Sequence, residues 1–482
     1  MSFWLASFAI AGVALALALG GGTRQGLWSD ALVQLCCLPL LGLAVSKLWL
    51  NPLPAHAKWP LALVGGIFVL PLLQLVPLPP SVWTSLPGRA PFAAAYRAAE
   101  MALPWMPFSL DPGATWFSFF SVLPAISVFL ALLFLDLKTR RILSLVILGF
   151  AFGSVLLGLA QLAGGEASPL YFYDPTNTGA SVGFFANSNH YAALLTAAIP
   201  ISAAWSIGLV LDRSTKRGPG IALLLFAYAV LLLGIGMAHS RAGLIVAFVA
   251  GLASAALAWG SGADGADRSG RMKLLLFFIC ANLCGLLLAF QFGFVGLANR
   301  FEGASVLEDL RKPIAEVTAH AIAANLPMGI GFGAFEPVYQ MFEPAAVTVP
   351  EYVNHAHDDW LELALDGGLP ALALMLVFLI WYAGASVRIW RQPPSTGSAV
   401  DRTLARAGPI VVGLLLLHST MDYPLRTTSL MVVFAFVAAL MIPPAVTNQS
   451  ASDLPRRSQR PDRKSASASD PASAPSSVRA GA

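Results

Sequence analysis

Apolar runs of about 20 residues, the length a helix needs to cross the hydrocarbon layer of a bilayer, recur along most of this chain. They are separated by short polar breaks and lie near 3–20, 29–46, 59–78, 115–135, 142–163, 189–211, 219–238, 242–260, 274–294, 369–387, 409–423 and 428–446. The pattern predicts an all-α protein, a polytopic transmembrane helical bundle with about 12 spans and one large outward segment carrying short helices. The first run lacks a positive flank and a small-residue cleavage site, so it counts as a span rather than a cleaved signal. After residue 446 the apolar runs stop, and 447–482, rich in Ser, Ala, Pro and Arg, is expected to be a disordered cytoplasmic tail.

Composition agrees: 57% of the 482 residues are hydrophobic and 11% charged, which excludes a water-soluble domain. The net charge of +4 matters less than its placement. Lys47, Lys58, Lys138, Arg140, Arg141, Arg213, Lys216, Arg217, Arg268, Arg271, Lys273, Arg388, Arg391, Arg402 and Arg406 all fall in even-numbered gaps. By the positive-inside rule those gaps and both termini are cytoplasmic. The odd-numbered gaps then face outward, among them 164–188, which has no Lys or Arg, and the long segment of about 295–368. The four cysteines fall inside spans and read as apolar packing residues. "GIGFGAF" at 329–335 has no preceding strand and no phosphate-binding lysine, so it is a turn signal and not a nucleotide loop.

Polar side chains gather at the outward ends of the spans. Asn187, Asn189 and His190 open the sixth span in "GFFANSNHYAALL", where their side chains can cap free amides or meet a substrate. "AHSRAG" carries Arg241, which could equally snorkel to the interface. Arg300, Arg311 and Lys312 precede a helix-like stretch, followed by glycines, Tyr339 and Glu343. In "HSTMDYPLR", His418 and Asp422 are four apart and are expected to pair on one helix face, with Arg426 close behind.

The densest titratable stretch is "VNHAHDDWLELALDGG", with two histidines and four carboxylates in residues 353–368. Asp358, Asp359 and Glu362 suit the first turns of a short helix, and Gly367-Gly368 its stop. About ten residues cannot span, so this helix should lie at the outer surface with His355 and His357 at its amino end. A helix start needs one cap, and two histidines add nothing to it. Arginines grip pyrophosphate bidentately and a histidine near its own pKa can take a hydroxyl proton, which points to a lipid-linked phosphorylated substrate.

These motifs, in order over about residues 180–430, resemble the O-antigen ligase and O-antigen polymerase family of bacterial membrane glycosyltransferases. The resemblance rests on "GFFANSNHYAALL", "SRAGL", the "GIGFGAF" run, "HAHDDWLELALDGGLPAL" and "HSTMDYPLR". It implies a transmembrane glycosyltransferase domain over 1–446 in the bacterial inner membrane, with its active site facing the periplasm. The implied reaction is a metal-independent, inverting transfer of glycan from undecaprenyl pyrophosphate, with no cofactor. The acceptor would be a hydroxyl of the lipid A core, in lipopolysaccharide assembly, or of a second lipid-linked glycan. By motif, His357 would be the general base and Arg241 and Arg311 the pyrophosphate grip. Asn187, Asn189, His190, Arg300, Tyr339, His355, Asp358, Asp359, Glu362 and Arg426 would line the substrate site. The family usually has His-Asn where this chain has His357-Asp358. Two rival classes remain: a transporter or flippase, disfavoured by spans nearly free of ionisable residues away from their outer ends, and a metalloenzyme using His355, His357 and Asp358 or Asp359.

Overall fold

The computed structural model describes residues 2–52, 55–176, 179–211, 217–261, 272, 275–285, 287, 306–345, 348, 353–392 and 397–444. Arg300 and the tail 447–482 lie outside the described residues.

Apart from one two-residue ladder pairing Pro77–Leu78 with Met106–Pro107, the described elements are helical. Each of the twelve expected spans corresponds to a described helix, in whole or part. Seven of these helices are long and apolar enough to cross a membrane: Ser2–Leu19, Trp28–Leu50, Pro112–Leu132, Leu137–Gly164, Ser188–Leu211, Arg241–Ser261 and Asp359–Arg391. Four more apolar helices, Lys58–Gln74, Phe226–Met237, Leu275–Gly285 and Thr428–Leu440, are shorter. Against the expected figure of about 12, seven candidate spans qualify by length and composition among the described residues. The expected span at 409–423 starts earlier and ends earlier, as helix Ala399–His418. Ser398 and Asp401 form a reciprocal capping box that nucleates it ahead of the apolar run, carrying Arg402 and Arg406 into the helix.

Ser188–Leu211 is the central helix. Almost all of it is buried, and Arg217–Met237, Arg241–Ser261 and Ala399–His418 pack around it. A helix apolar on every side suits such a position, because no face meets water.

Alternate gaps meet at opposite ends of the bundle. At one end Ala186 N donates to Gly21 O at 3.0 Å, Ser181 N to Met237 O at 3.0 Å, Ser429 N to Gly20 O at 3.0 Å and Asp359 N to Ser419 O at 2.9 Å. Those are the arginine-poor gaps. At the other end Arg140 donates to Ile442 O at 2.8 Å, Arg141 meets Asp401 at 3.0 Å, Arg388 meets His56 at 3.2 Å and Arg406 donates to Gly260 O at 3.3 Å. Arg140 and Arg406 there reach carbonyls at the carboxyl ends of helices, where the helix dipole favours cations, and Arg141 pairs with a carboxylate in a first turn.

Over the first end sits a second, smaller core: Ile314, Val317, Ala321, Ile330, Ala334, Phe335, Val338, Tyr339, Ala356 and Leu365. Val306–Asn325 contributes a single apolar stripe, Ile314, Val317, Thr318, Ala321 and Asn325, at the spacing of one helix face. Such a helix lies on a surface rather than crossing a membrane.

The glycine run 329–333 locks this cap to the bundle. Ile330 N and Gly331 N donate to Leu365 O and Asp366 O at 3.0 and 2.9 Å, satisfying carbonyls freed where the short helix ends. A Cβ at Gly329 would fall 2.6 Å from Leu365 O, and one at Gly368 would fall 2.4 Å from Pro327 O, so only glycine permits the approach. Gly368 has φ 56° and ψ −150°, which breaks helix Asp359–Arg391 into the expected short helix and a span that continues to Arg391.

Candidate active site

The titratable residues at the capped end converge on Asp422, which is fully buried. Its Oδ1 lies 3.5 Å from His357 Nδ1 and 4.0 Å from His190 Nε2, and accepts from Tyr423 N at 2.9 Å. Its Oδ2 accepts from Asn189 Nδ2 and lies 3.8 Å from the Arg311 guanidinium. Burial raises the Asp422 pKa, but the close approach of His357 and the charges of His190, His357 and Arg311 more than offset this. Its carboxyl is therefore held well below the ordinary carboxylate range.

The expected His418–Asp422 pair does not form. The helix ends at His418, and both Met421 N and Asp422 N turn back onto His418 O, so Asp422 leaves the helix face that spacing assigned to it. Both ring nitrogens of His418, like those of His190, are buried with no hydrogen-bond partner among the described residues.

His357 is held in an unusual backbone state. Its φ is 54°, a left-handed conformation costing a non-glycine residue about 1–3 kcal/mol, and such strain collects at functional sites. Three features enforce it. Ala356 is buried in the small core. Ala356 N donates to Glu362 Oε2 at 2.9 Å. Asp358 caps the following helix, its Oδ1 accepting from Trp360 N at 2.8 Å and Leu361 N at 3.0 Å. Asn and Asp are comparable in that capping role, so the departure from the family's His-Asn pair leaves this function intact. The His357 side chain is 25% exposed, with Nδ1 turned inward to Asp422.

Tyr423 organises the histidines. Its ring centroid lies 4.8 Å from that of His190, 4.3 Å from His355 and 5.0 Å from His357. Burial and the neighbouring Asp422 charge push its hydroxyl pKa up.

Behind Tyr423 lies a second charge cluster. Arg426 reaches Asp366 at 2.9 Å, Glu362 at 3.3 Å and Asp359 at 3.5 Å. Asp359 also accepts from Ser419 Oγ at 2.7 Å and Leu425 N at 3.2 Å. His355 Nδ1 meets Glu362 Oε1 at 2.9 Å and its Nε2 faces Thr23 O at 3.3 Å. The sequence-expected substrate residues Asp359, Glu362, His355 and Arg426 thus satisfy one another.

Burial lowers the His355 pKa, but the charge and hydrogen bond of Glu362 outweigh it, so the net shift is upward. The raised folded pKa means that this pair contributes its full stability below the unfolded value of about 6.5 and loses it as pH rises through the folded value. Thermal unfolding of purified protein should therefore show stability falling as pH rises above about 6.5, with this component missing in His355→Gln. Identical pH dependence in the two proteins would contradict the assignment.

Three other expected residues fall as follows. Arg311 is 39% exposed and turns toward Asp422, whereas Lys312 is 87% exposed and meets Glu316 at 4.0 Å. Arg241 is the exposed first residue of its helix. That helix starts against the one bearing His190, since a Cβ at Gly243 would fall 2.6 Å from the Ala192 Cβ. Tyr339 is buried in the small core, stacked on Phe335 at 5.3 Å, and burial with the Glu343 charge pushes its pKa up to about 12. The sequence did not single out Tyr423 or Thr23. The available signal was the aromatic next to Asp422 inside a motif that was otherwise polar.

A cavity of about 660 Å³ opens beside the second cluster. His355, Asp359 and Arg426 form its polar end, and Leu27, Trp28, Phe117, Phe120, Met375 and Met431 are among its apolar walls.

The sequence profile of a family described as O-antigen ligase matches residues 223–376. The match includes Arg241, Arg311, His355 and His357, while Asn189, His190, Asp422 and Arg426 join the site from outside it. No curated protein matches the chain.

Proposed function

We propose, from the match of residues 223–376 to a family described as O-antigen ligase, that this membrane protein transfers a glycan from undecaprenyl pyrophosphate to an acceptor hydroxyl on the periplasmic face. The acceptor in this reading is the lipid A core, making the protein an O-antigen ligase of the inner membrane. The observation that carries it is a base and a cation facing one buried carboxylate, His357 at 3.5 Å and Arg311 at 3.8 Å from Asp422.

With Nδ1–H directed at Asp422, His357 presents Nε2 as the basic nitrogen. The acceptor oxygen attacks the anomeric carbon from the face opposite the leaving group, and its proton passes to Nε2. The bond from that carbon to the pyrophosphate oxygen breaks, and undecaprenyl pyrophosphate leaves with the electron pair. Asp422 stabilises the imidazolium so formed. Arg311 and Arg241 hold the negative charge developing on pyrophosphate, supplying the positive charge that a metal ion provides in other transferases. The apolar-walled cavity supports entry of a lipid-borne substrate from the bilayer, with its head toward the polar cluster.

Arg311→Lys and Arg241→Lys should each lose on the order of a hundredfold in rate despite keeping charge, since an ammonium cannot make a two-pronged grip on phosphate. Full activity in Arg311→Lys would move the grip to another residue, Arg300 first. Reporters fused after residue 175 should read periplasmic and those after 215 or 270 cytoplasmic, given the placement of Arg213, Lys216, Arg217, Arg268 and Arg271. Glycolipids extracted from a knockout decide the acceptor: unlinked long chains fit a ligase, and single repeat units would assign a polymerase instead.

A further inference from the structure

A separate cavity of about 490 Å³ opens at the capped end of the bundle, between the turn containing Thr23 and Arg24 and the loop 166–176. We propose that it is a carbohydrate subsite, holding sugar units of a substrate glycan beside the catalytic cluster; this rests on the glycosyltransferase reading above.

The lining has the chemistry that sugars need. Tyr171, Phe172 and Tyr173 line the wall, and Phe172 is 54% exposed while stacked on Phe184 at 5.5 Å. Aromatic faces carry a negative quadrupole and bind the polarised C–H faces of sugar rings, while carboxylates accept from vicinal hydroxyls. Glu166 and Asp174 are such carboxylates. The side chains of Glu166, Tyr171 and Asp174 make no hydrogen bond or ion pair among the described residues, in contrast to the mutually satisfied groups around Arg426. The volume falls within the range of small-ligand sites, about 300–1,000 Å³.

The wall is braced from behind. Tyr173 Oη donates to Leu19 O, Gln161 Nε2 to Leu170 O at 3.1 Å and Thr176 N to Ala186 O at 2.9 Å. The cavity also adjoins the catalytic cluster along two stretches of chain. Thr23, in its wall, presents its carbonyl to His355 Nε2 at 3.3 Å. Ala186, also in its wall, precedes Asn187, whose Oδ1 accepts at 2.8 Å from the backbone of Asn189, the residue whose amide donates to Asp422. A glycan reacting at His357 therefore has an aromatic and acidic recess within a residue or two of the site.

The sugar could belong to the donor glycan or to the acceptor. Purified full-length protein would be probed by saturation-transfer NMR with two oligosaccharides from the same cells, one released by mild acid from the lipid-linked donor and the other from the lipid A core. The expected result is transfer to sugar-ring protons of one of them, which identifies the source. In Tyr171→Ala/Asp174→Asn, binding should weaken and KM for that substrate rise by about tenfold or more, with kcat within about twofold and thermal stability unchanged. Absence of transfer from the wild-type protein with both oligosaccharides, or an unchanged KM in the variant, overturns the subsite. His357→Ala separates the two ideas: it should still bind the oligosaccharide, and if it also turned over normally the catalytic reading would fail while the subsite stood.

Discussion

Replacing His357 by alanine should abolish glycan transfer, since a positioned general base contributes about 10²–10⁴-fold to rate. Folding should survive, because the supports of this position do not use the imidazole. Ala356 stays in the small core, its amide stays on Glu362, and Asp358 still caps the short helix. Alanine keeps the Cβ and with it the left-handed strain at φ 54°, so the cost to folding is the lost packing on Tyr423. The comparison is between glycolipid profiles of a knockout complemented with wild type or variant, normalised to the amount of protein in the membrane. Near-normal transfer by the variant would exclude His357 as the base.

Asp422→Asn should be nearly as damaging. An amide in place of the carboxylate can turn its NH₂ group toward His357 Nδ1, which forces the proton onto Nε2 and removes the lone pair that accepts the hydroxyl proton. Loss of the negative charge also leaves the imidazolium unsupported. An aspartate-to-asparagine change in a comparable His–Asp pair costs on the order of 10⁴-fold, and a loss of about 10³-fold or more is expected here. The same Oδ1 accepts from Tyr423 N, so in this orientation the turn after His418 loses one acceptor while Met421 N and Asp422 N still close it on His418 O. Initial rates with a thermal-stability control check this, and a variant that folds normally and keeps more than about a tenth of wild-type rate would contradict the role.

Much of this site was legible from one-dimensional patterns. Twenty-residue apolar runs marked the helices, and the arginine-poor gaps identified the end of the bundle where polar motifs meet. The short helix before Gly368 followed from carboxylates at its start and glycines at its end. Partners across the fold were hidden. Spacing paired Asp422 with His418, but that rule assumes a helix still running at 422, and the chain had already turned at His418. Arg426 looked available for substrate because its three carboxylates come from a helix about sixty residues away in sequence. Gln74, Ser109 and Thr115 were passed over for the same reason. Gln74 Oε1 accepts from Phe332 N at 2.9 Å, Thr115 Oγ1 donates to Phe332 O at 2.8 Å and bonds to Ser109 Oγ at 2.7 Å, so early helices hold the glycine run in place. Hydropathy registers an apolar run without its helix length, and by length and composition seven of the described helices qualify as candidate spans.

The central claim is that His357 and Asp422 act as one unit. A double-mutant cycle in reconstituted vesicles measures that directly, using lipid-pyrophosphate-linked glycan, acceptor glycolipid and a chelator, with single-turnover rates for wild type, His357→Ala, Asp422→Asn and the double variant. If Asp422 works through His357, the double variant transfers no more slowly than His357→Ala alone. Losses that multiply, so that the double variant falls by the product of the two single effects, would show that the residues act independently and that the pair is not the catalytic base.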